Sequence, residues 1–435
     1  TYVVAQIYGV GLITTRLTGV QFEIGIFLGL AGILVCSFLG GMRAVTWTQV
    51  AQYIILIVAY LIPVVWLSVK QTSVPIPQAI YGFQLEKVTE KEKALREDPK
   101  EKEVIAKDTF DTSRRNFMAL IFCLMVGTAA LPHILMRYYT TPSVREARAS
   151  VGWSLFFIFL LYFTAPALAV LVKYEVFHVL VGTPFDKLPA WIANWSKVDA
   201  ALLSVVDINK DGILQLGEMR IGGDIVVLAT PEIAGLPYVI SGLVAAGGLA
   251  AALSTADGLL LTIANALSHD LYYKMIDPNA STARRVSISK ALLLVVALAA
   301  AYVAAQKPAD ILFLVSAAFS FAAAAFFPAL VLGVFWKRAN KWGASLGMIA
   351  GLGVTFYYMV TTQPWLRGIF GVTSPIELWW GIQPISAGVF GVPLGFAVII
   401  IVSLLTAAPG RDVQELVEHV RYPNLKGDTL RTQTD

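Results

Sequence analysis

Between Leu236 and Leu267 the chain reads LPYVISGLVAAGGLAAALSTADGLLLTIANAL, and this stretch decides the fold. About 20 consecutive apolar residues cross a bilayer as a helix. Ser254, Thr255 and Asp257 fall deep inside the run. Hydrocarbon offers no partner to a hydroxyl or a carboxylate, so such groups must face protein or a water-filled cavity. Ala251, Ser254, Thr255 and Gly258 follow i, i+3, i+4, i+7 spacing and share one helix face. Two readings are open. The Ala251 carbonyl and the two hydroxyls form part of an oxygen shell for a small hard cation, for which neutral ligands suffice. Alternatively, the hydroxyls bond back to carbonyls one turn earlier and serve helix packing.

The rest of the chain agrees with a membrane setting. Of 435 residues, 57% are hydrophobic and 14% charged, and the mean hydropathy is +0.69. A soluble chain of this length would carry far more polar surface. About ten apolar segments reach span length, at roughly 1–15 (partial), 22–42, 45–69, 116–140, 151–174, 236–267, 287–306, 310–336, 343–363 and 385–408. The net charge of +4 argues for no nucleic-acid partner, because the basic residues sit in loops between spans. No G-x-x-x-x-G-K-[ST] motif is present, which argues against ATP-driven pumping by this chain. Cys36 and Cys123 both lie in apolar spans and read as free core thiols. The chain opens at Thr1 within apolar sequence, which reads as an N-terminal truncation; no signal peptide is visible.

Basic residues in short loops orient the spans. Arg43, then Arg137, Arg145 and Arg148, then Lys274, Arg284, Arg285 and Lys290, then Lys337, Arg338 and Lys341, and finally Arg411 fall on alternate connections. These connections, and the tail at 409–435, are expected on the cytoplasmic side of an inner (plasma) membrane. The transmembrane domain is then 1–408. Two long connections, 70–115 and 175–235, face outside. The first, with Glu90-Lys91-Glu92-Lys93, reads as a solvated helix or a disordered loop. In the tail, Asp412 to Arg421 reads as one amphipathic helix, too small for an enzyme domain.

Two further features carry chemistry. In the span around Phe117–Tyr139, Gly127-Thr128-Ala129-Ala130-Leu131-Pro132-His133 interrupts the helix, because Pro132 removes a backbone hydrogen bond and Gly127 weakens the helix nearby. A broken membrane helix is tolerated where it lines a protein cavity, and a half-helix N-terminus attracts anions. A plain proline kink is the other reading. His133 reads as a hydrogen-bonded structural group. Separately, Asp207, Asn209, Asp211, Gly212, Ile213, Gln215 and Glu218 fit a twelve-residue EF-hand loop for Ca2+. Side chains at positions 1, 3 and 5 supply oxygens, Gly212 permits the turn, Ile213 offers its carbonyl, Gln215 acts directly or through water, and Glu218 binds bidentately. The flanks, Ala190–Val206 and Gly217–Leu228, are expected to form short helices. The other reading is a surface turn that mimics the pattern.

Gly40-Gly41-Met42-Arg43-Ala44 with Thr48 and Gln52 resembles the first signature of the sodium/solute symporter family. Gly333-Val334, Arg338, Gly343-Ala344 and Gly347-Met348-Ile349-Ala350-Gly351-Leu352-Gly353 resemble its second. Gly248 to Thr255 resembles its sodium-site helix, and Gly127 to Arg137 is most similar to the cation/acetate permease branch. The resemblance covers nearly the whole chain. It implies an all-α polytopic fold with an inverted-repeat core of the LeuT-like type, N-terminally truncated, in which residues 1–15 are the third core helix. It implies that Ala251, Ser254 and Thr255 hold half of a sodium site. The other half would lie on a missing first helix. One departure stands out: many relatives have Asp after the Thr of the fifth core helix, whereas Gln49 follows Thr48 here. Asp257 is the candidate coupling residue that would compensate; the other reading is that it caps local structure.

The function expected is secondary symport rather than enzymatic catalysis. A cation gradient, sodium first and the proton second, would drive uptake of a small carboxylate such as acetate, with Gly127, Thr128, Ser316 and Ser320 as candidate solute contacts. Serines in the Ala- and Phe-rich eighth span also suit close helix packing. No oligomer is required. Symport of another solute, such as proline or a sugar, and a transporter-like membrane sensor are the alternatives. Sensors of that kind usually append a large signalling domain, which this tail does not offer.

Overall fold

The computed structural model describes residues 1–104, 114–138 and 141–421. In chain order its helices are α1 (Tyr2–Thr18), α2 (Phe22–Thr72), α3 (Pro77–Glu97), α4 (Pro99–Val104), α5 (Arg114–Ala130), α6 (Pro132–Tyr138), α7 (Val144–Glu175) and α8 (Ala190–Ser196). They continue with α9 (Gly223–Ile233), α10 (Tyr238–Asn265), α11 (Thr282–Ala305), α12 (Ile311–Phe335), α13 (Lys341–Thr362), α14 (Pro364–Phe370), α15 (Gly388–Leu405) and α16 (Arg411–Arg421). Two short strands, β1 (Leu203–Val205) and β2 (Met219–Ile221), pair antiparallel with Ser204 opposite Arg220.

Seven helical stretches among the described residues are long and apolar enough to cross a bilayer: Val45–Thr72, Val144–Leu180, Tyr238–Ile276, Thr282–Ala305, Ile311–Phe335, Lys341–Thr362 and Pro384–Leu405. Two bent pairs raise the number to nine: Tyr2–Thr18 with Phe22–Val35, bent by 112°, and Arg114–Ala130 with Pro132–Tyr138, bent by 41°. The starts of several helices are written in the sequence. Ser281 accepts the Arg284 N–H, Asp310 the Phe313 N–H and Asn340 the Gly343 N–H, each capping α11, α12 or α13.

The helix α2 departs from expectation. A connection was expected at Arg43, but one helix runs through from Phe22 to Thr72. No Pro occurs in it before Pro63, and Met42-Arg43-Ala44 are good helix formers, so Gly40-Gly41 lacks a stop signal strong enough to end the helix. Its 51 residues extend about 77 Å at ~1.5 Å per residue. That is more than twice the ~30 Å of hydrocarbon; Val45–Thr72 is long enough to span by itself, whereas Phe22–Val35 does so only together with α1.

The chain divides into two compact units. One comprises residues 3–111 and 154–307. Within it α10 lies along the second half of α2 and beside α9 and α11. The approach is close: a Cβ on Gly247 would sit 2.5 Å from the Ala59 Cβ. The two outer connections belong to this unit. The charge-mixed run forms α3 and α4, with Ile80, Gln84, Val88 and Leu95 on its buried side. Residues 105–113 lie outside the described residues. In the second connection, α8 and α9 are helical as expected, but β1 and β2 directly flank the loop at 207–218. Leu203-Ser204-Val205 alternates apolar and polar side chains and ends on the β-branched Val205, which suits a strand, so a short hairpin stands directly beside the loop where helix was expected.

The other unit comprises residues 1–2, 112–153 and 308–435. Here α12, α13 and α15 pack together, with α5 against α12. Gly343, Gly347 and Gly351 form an i, i+4, i+8 row on α13, and a Cβ on Gly347 would lie 3.0 Å from the Gly395 carbonyl of α15. Small residues let membrane helices approach in this way, which explains the glycine spacing physically. Tyr358, fully buried, packs with Ala317, Met359 and Ala387, and its hydroxyl donates to the Ile382 carbonyl at 2.5 Å. Cys123 is a buried free thiol; the side chain of Cys36 lies outside the described residues. The amphipathic α16 forms as expected, and Lys337 pairs with Glu418 on it. Residues 422–435 lie outside the described residues.

Candidate functional site

The polar groups of α10 meet α2 at two levels. Ser254 Oγ donates to the Ala251 carbonyl at 2.9 Å, and Thr255 Oγ1 donates to the same oxygen at 3.3 Å. Both hydroxyls therefore make the back-bonds that the packing reading predicts. Their lone pairs stay free to accept or to ligate, because each hydroxyl has one proton and two acceptor sites. All three residues are half-buried. A cavity of about 350 Å³ opens beside Ala251, with walls from Leu56, Ala59, Tyr60, Tyr162 and Gly247. The Gln49 side-chain amide donates to the Ser254 carbonyl. Gln49 of α2 thus touches the helix that carries the candidate cation ligands. One turn further along α2, the Gln52 Oε1 is buried without a partner.

Asp257, one turn beyond Ser254 and also facing α2, is fully buried. Ser37 of α2 donates to its Oδ1 at 2.8 Å, and its Oδ2 has no partner. An apolar environment makes such a group expensive unless it works. Ser37 also lines a second cavity, of about 560 Å³, whose polar walls include Asn265, Ser268, His269, Arg285 and Lys290. The carboxylate of Asp257 sits behind that wall. Sequence reasoning named Asp257 but missed Ser37; an isolated serine in an apolar run was the only available signal.

The candidate solute contacts are not one cluster. Gly127 is buried, and a Cβ there would lie 2.5 Å from the Phe319 carbonyl of α12. Its small size is explained by close packing of α5 on α12. Thr128 is exposed and donates to the Leu124 carbonyl at 2.7 Å. Ser316 and Ser320 of α12 are fully buried. Ser320 donates to the Ile385 carbonyl at 3.0 Å, and Ser316 Oγ has no partner. The helix breaks at Leu131, whose carbonyl takes the N–H groups of Ile134 at 3.1 Å and Leu135 at 3.2 Å. His133 stands edge-on to Tyr2, ring centroids 5.7 Å apart; it is packed, but its Nδ1 is buried without the hydrogen-bond partner that was expected.

In the outer loop, each predicted ligand of 207–218 is in place along the chain, and Gly212 takes the left-handed turn at φ +70°. Among the described residues, no three Asp, Glu, His or Cys side chains converge as a preformed metal centre.

Multiple apolar helices, a broken span and polar groups buried between helices define a multi-pass membrane protein. The chain belongs to the Sodium:solute symporter family, whose profile matches residues 1–184 and 224–351. It is 48% identical to an uncharacterized symporter of Cupriavidus necator, over 97% of this chain and 74% of that protein. It is 27% identical to a monocarboxylic acid transporter of Corynebacterium glutamicum, over 91% of this chain and 66% of that protein. Its fold is similar to a substrate-bound, outward-open structure of a Na+-coupled sialic acid symporter. The TM-score is 0.55 at 16% identity, covering 94% of this chain and 73% of that one. The LeuT-like fold expected from the sequence is thereby shown, mostly helical with one short hairpin.

Proposed function

We propose that this protein couples sodium entry to uptake of a small monocarboxylate such as acetate. The observation that carries the sodium part is the α10 face, where the Ala251 carbonyl and the oxygens of Ser254 and Thr255 are gathered within one helical turn in a sodium:solute symporter. A monovalent cation is satisfied by neutral oxygens of this kind. The monocarboxylic acid transporter among the relatives supports the solute class.

The mechanism is alternating access. Sodium binding at Ala251, Ser254 and Thr255 stabilises the outward-open state, solute then binds, and the loaded protein opens inward. Coupling requires only that ion and solute favour the same conformations. Asp257 is the coupling residue: its free Oδ2 takes a cation or proton released towards the polar cavity lined by Ser37. Of the four candidate solute contacts, Ser316 is assigned to the solute path, because its hydroxyl is buried and unengaged, whereas Gly127 packs on α12 and Thr128 and Ser320 bond to main-chain carbonyls. The transmembrane domain spans 1–408, and the tail faces the cytoplasm because its Arg411 and the other basic connections share one side.

The test is uptake of labelled acetate into proteoliposomes under separately imposed sodium and proton gradients. Sodium-driven accumulation above the equilibrium level supports the reading, and no accumulation under either gradient removes it.

A further inference from the structure

The segment from Asp207 to Glu218 lies between the two stretches matched by the family profile, so it is not part of the family's shared core. Nothing in the transport mechanism uses it. Its backbone is folded by its own acidic side chains. Asp207 Oδ2 accepts the Gly212 N–H at 3.1 Å, Asn209 Oδ1 the Asp211 N–H at 3.1 Å, and Asp211 Oδ1 the Ile213 N–H at 2.9 Å. Glu218 closes the loop from the far side. Its carboxylate accepts the Ile208 N–H at 2.7 Å and the Gln215 N–H at 3.1 Å, and the residue is 4% exposed. The fully buried Leu214 anchors the loop beneath.

Two oxygens of this segment are buried without a hydrogen-bond partner, Asp207 Oδ1 and Gln215 Oε1. Gln215 is itself only 4% exposed. Its amide is held in the cluster, because Nε2 donates to Asp211 Oδ2 at 2.8 Å. Buried acceptors without partners are costly, and a cation would satisfy both. The donor set contains oxygen alone, which excludes a zinc-type site. Six mixed oxygens on a flexible loop suit calcium, whereas magnesium demands a tighter octahedron and keeps more water.

We propose that residues 207–218 form a calcium site. Its ligands are the side chains of Asp207, Asn209 and Asp211, the Ile213 carbonyl, Gln215, and Glu218 after it turns from the backbone N–H groups it now holds. The site also fastens the two outer connections together. From α4, Lys100 reaches Asp211 Oδ2 at 3.2 Å, and Glu101 accepts the Leu216 N–H at 2.9 Å. The Lys100 ammonium competes with calcium for Asp211, so affinity belongs to the weak range of extracellular modules, about 10⁻⁴–10⁻³ M.

The test is calcium titration of the detergent-purified protein, followed by equilibrium dialysis with radioactive calcium and by thermal unfolding, with magnesium as the control. One calcium per chain binds in that range and raises the unfolding temperature, while magnesium does neither. Asp207→Asn weakens binding at least about tenfold, because ligand charge sets affinity in such loops. Lys100→Met strengthens it several-fold, which keeps the proposal decidable should Asp207→Asn not fold. No saturable calcium binding up to about 10 mM, an order of magnitude above that range, overturns the proposal. So does equal binding of magnesium, or an affinity that Lys100→Met leaves unchanged.

Discussion

At the scale of single residues, the account turns on which oxygens of α10 are structural and which are ligands. Ser254 and Thr255 both bond back to Ala251, so hydrogen bonding alone does not distinguish them from packing residues. Ser254→Ala removes one oxygen and is expected to raise the sodium concentration for half-maximal uptake by roughly tenfold, about 1.4 kcal/mol of binding. Acetate affinity at saturating sodium should stay within about twofold, a small fraction of that energy. An unchanged sodium dependence would assign the hydroxyl to packing. Asp257→Asn keeps an acceptor for Ser37 but removes the charge. It should abolish gradient-driven accumulation while leaving solute exchange across the membrane; intact accumulation would remove Asp257 from coupling. The helical spacing of Ala251, Ser254 and Thr255 was legible from the sequence, because i, i+3, i+4 periodicity is local. The partners were not: Ser37 lies 220 residues from Asp257 and Gln49 lies 205 from Ser254, and no local pattern encodes such pairings.

At the scale of elements, the broken span and the outer hairpin show where local reading succeeds and fails. Pro132 correctly marked the break between α5 and α6, since a missing N–H acts where it stands. Gly127 was read as a helix weakener facing solute, yet it is a contact with α12. Gly127→Ala therefore forces its methyl group to within 2.5 Å of the Phe319 carbonyl, and should destabilise the protein by about 1–3 kcal/mol. Thermal unfolding in detergent checks this, and an unshifted transition would mean the helices are further apart. The helices expected beside the loop form only further out, as α8 and α9; the residues next to the loop are strands, because β1 finds its partner in β2 across the closed loop. A second tie in the outer region is titratable. Asp199 is partly buried, which raises its carboxyl, but the Lys307 ammonium at 2.5 Å and the Ala201 N–H outweigh this and hold it below the ordinary 3.8. A depressed carboxyl stabilises the fold above its unfolded value and loses that contribution as pH falls through the folded value. The parent should thus lose unfolding temperature more steeply than Lys307→Met as pH drops below about 4. Near neutrality the two should differ by no more than about 1 kcal/mol. Parallel curves would show that the pair carries no stability.

At the scale of the whole molecule, composition and span length sufficed for the membrane class, and three ordered motifs sufficed for the family, now shown by the profile match. The path of α2 through Arg43 was not legible, because a Gly-Gly pair weakens a helix without necessarily ending it. Solute identity is the least legible level. Thr128 and Ser320 turn out to be engaged with main-chain carbonyls, so residue type alone did not separate solute contacts from helix-binding hydroxyls. The central claim is that sodium drives monocarboxylate uptake through the α10 site, and one measurement addresses it most directly. Labelled acetate uptake is followed in proteoliposomes holding either the parent or Ser254→Ala, with an inward sodium gradient and with an inward proton gradient alone. The account predicts accumulation by the parent under the sodium gradient, and a shift to higher sodium concentration in Ser254→Ala. Accumulation driven by protons alone, with no response to sodium in either protein, would contradict it.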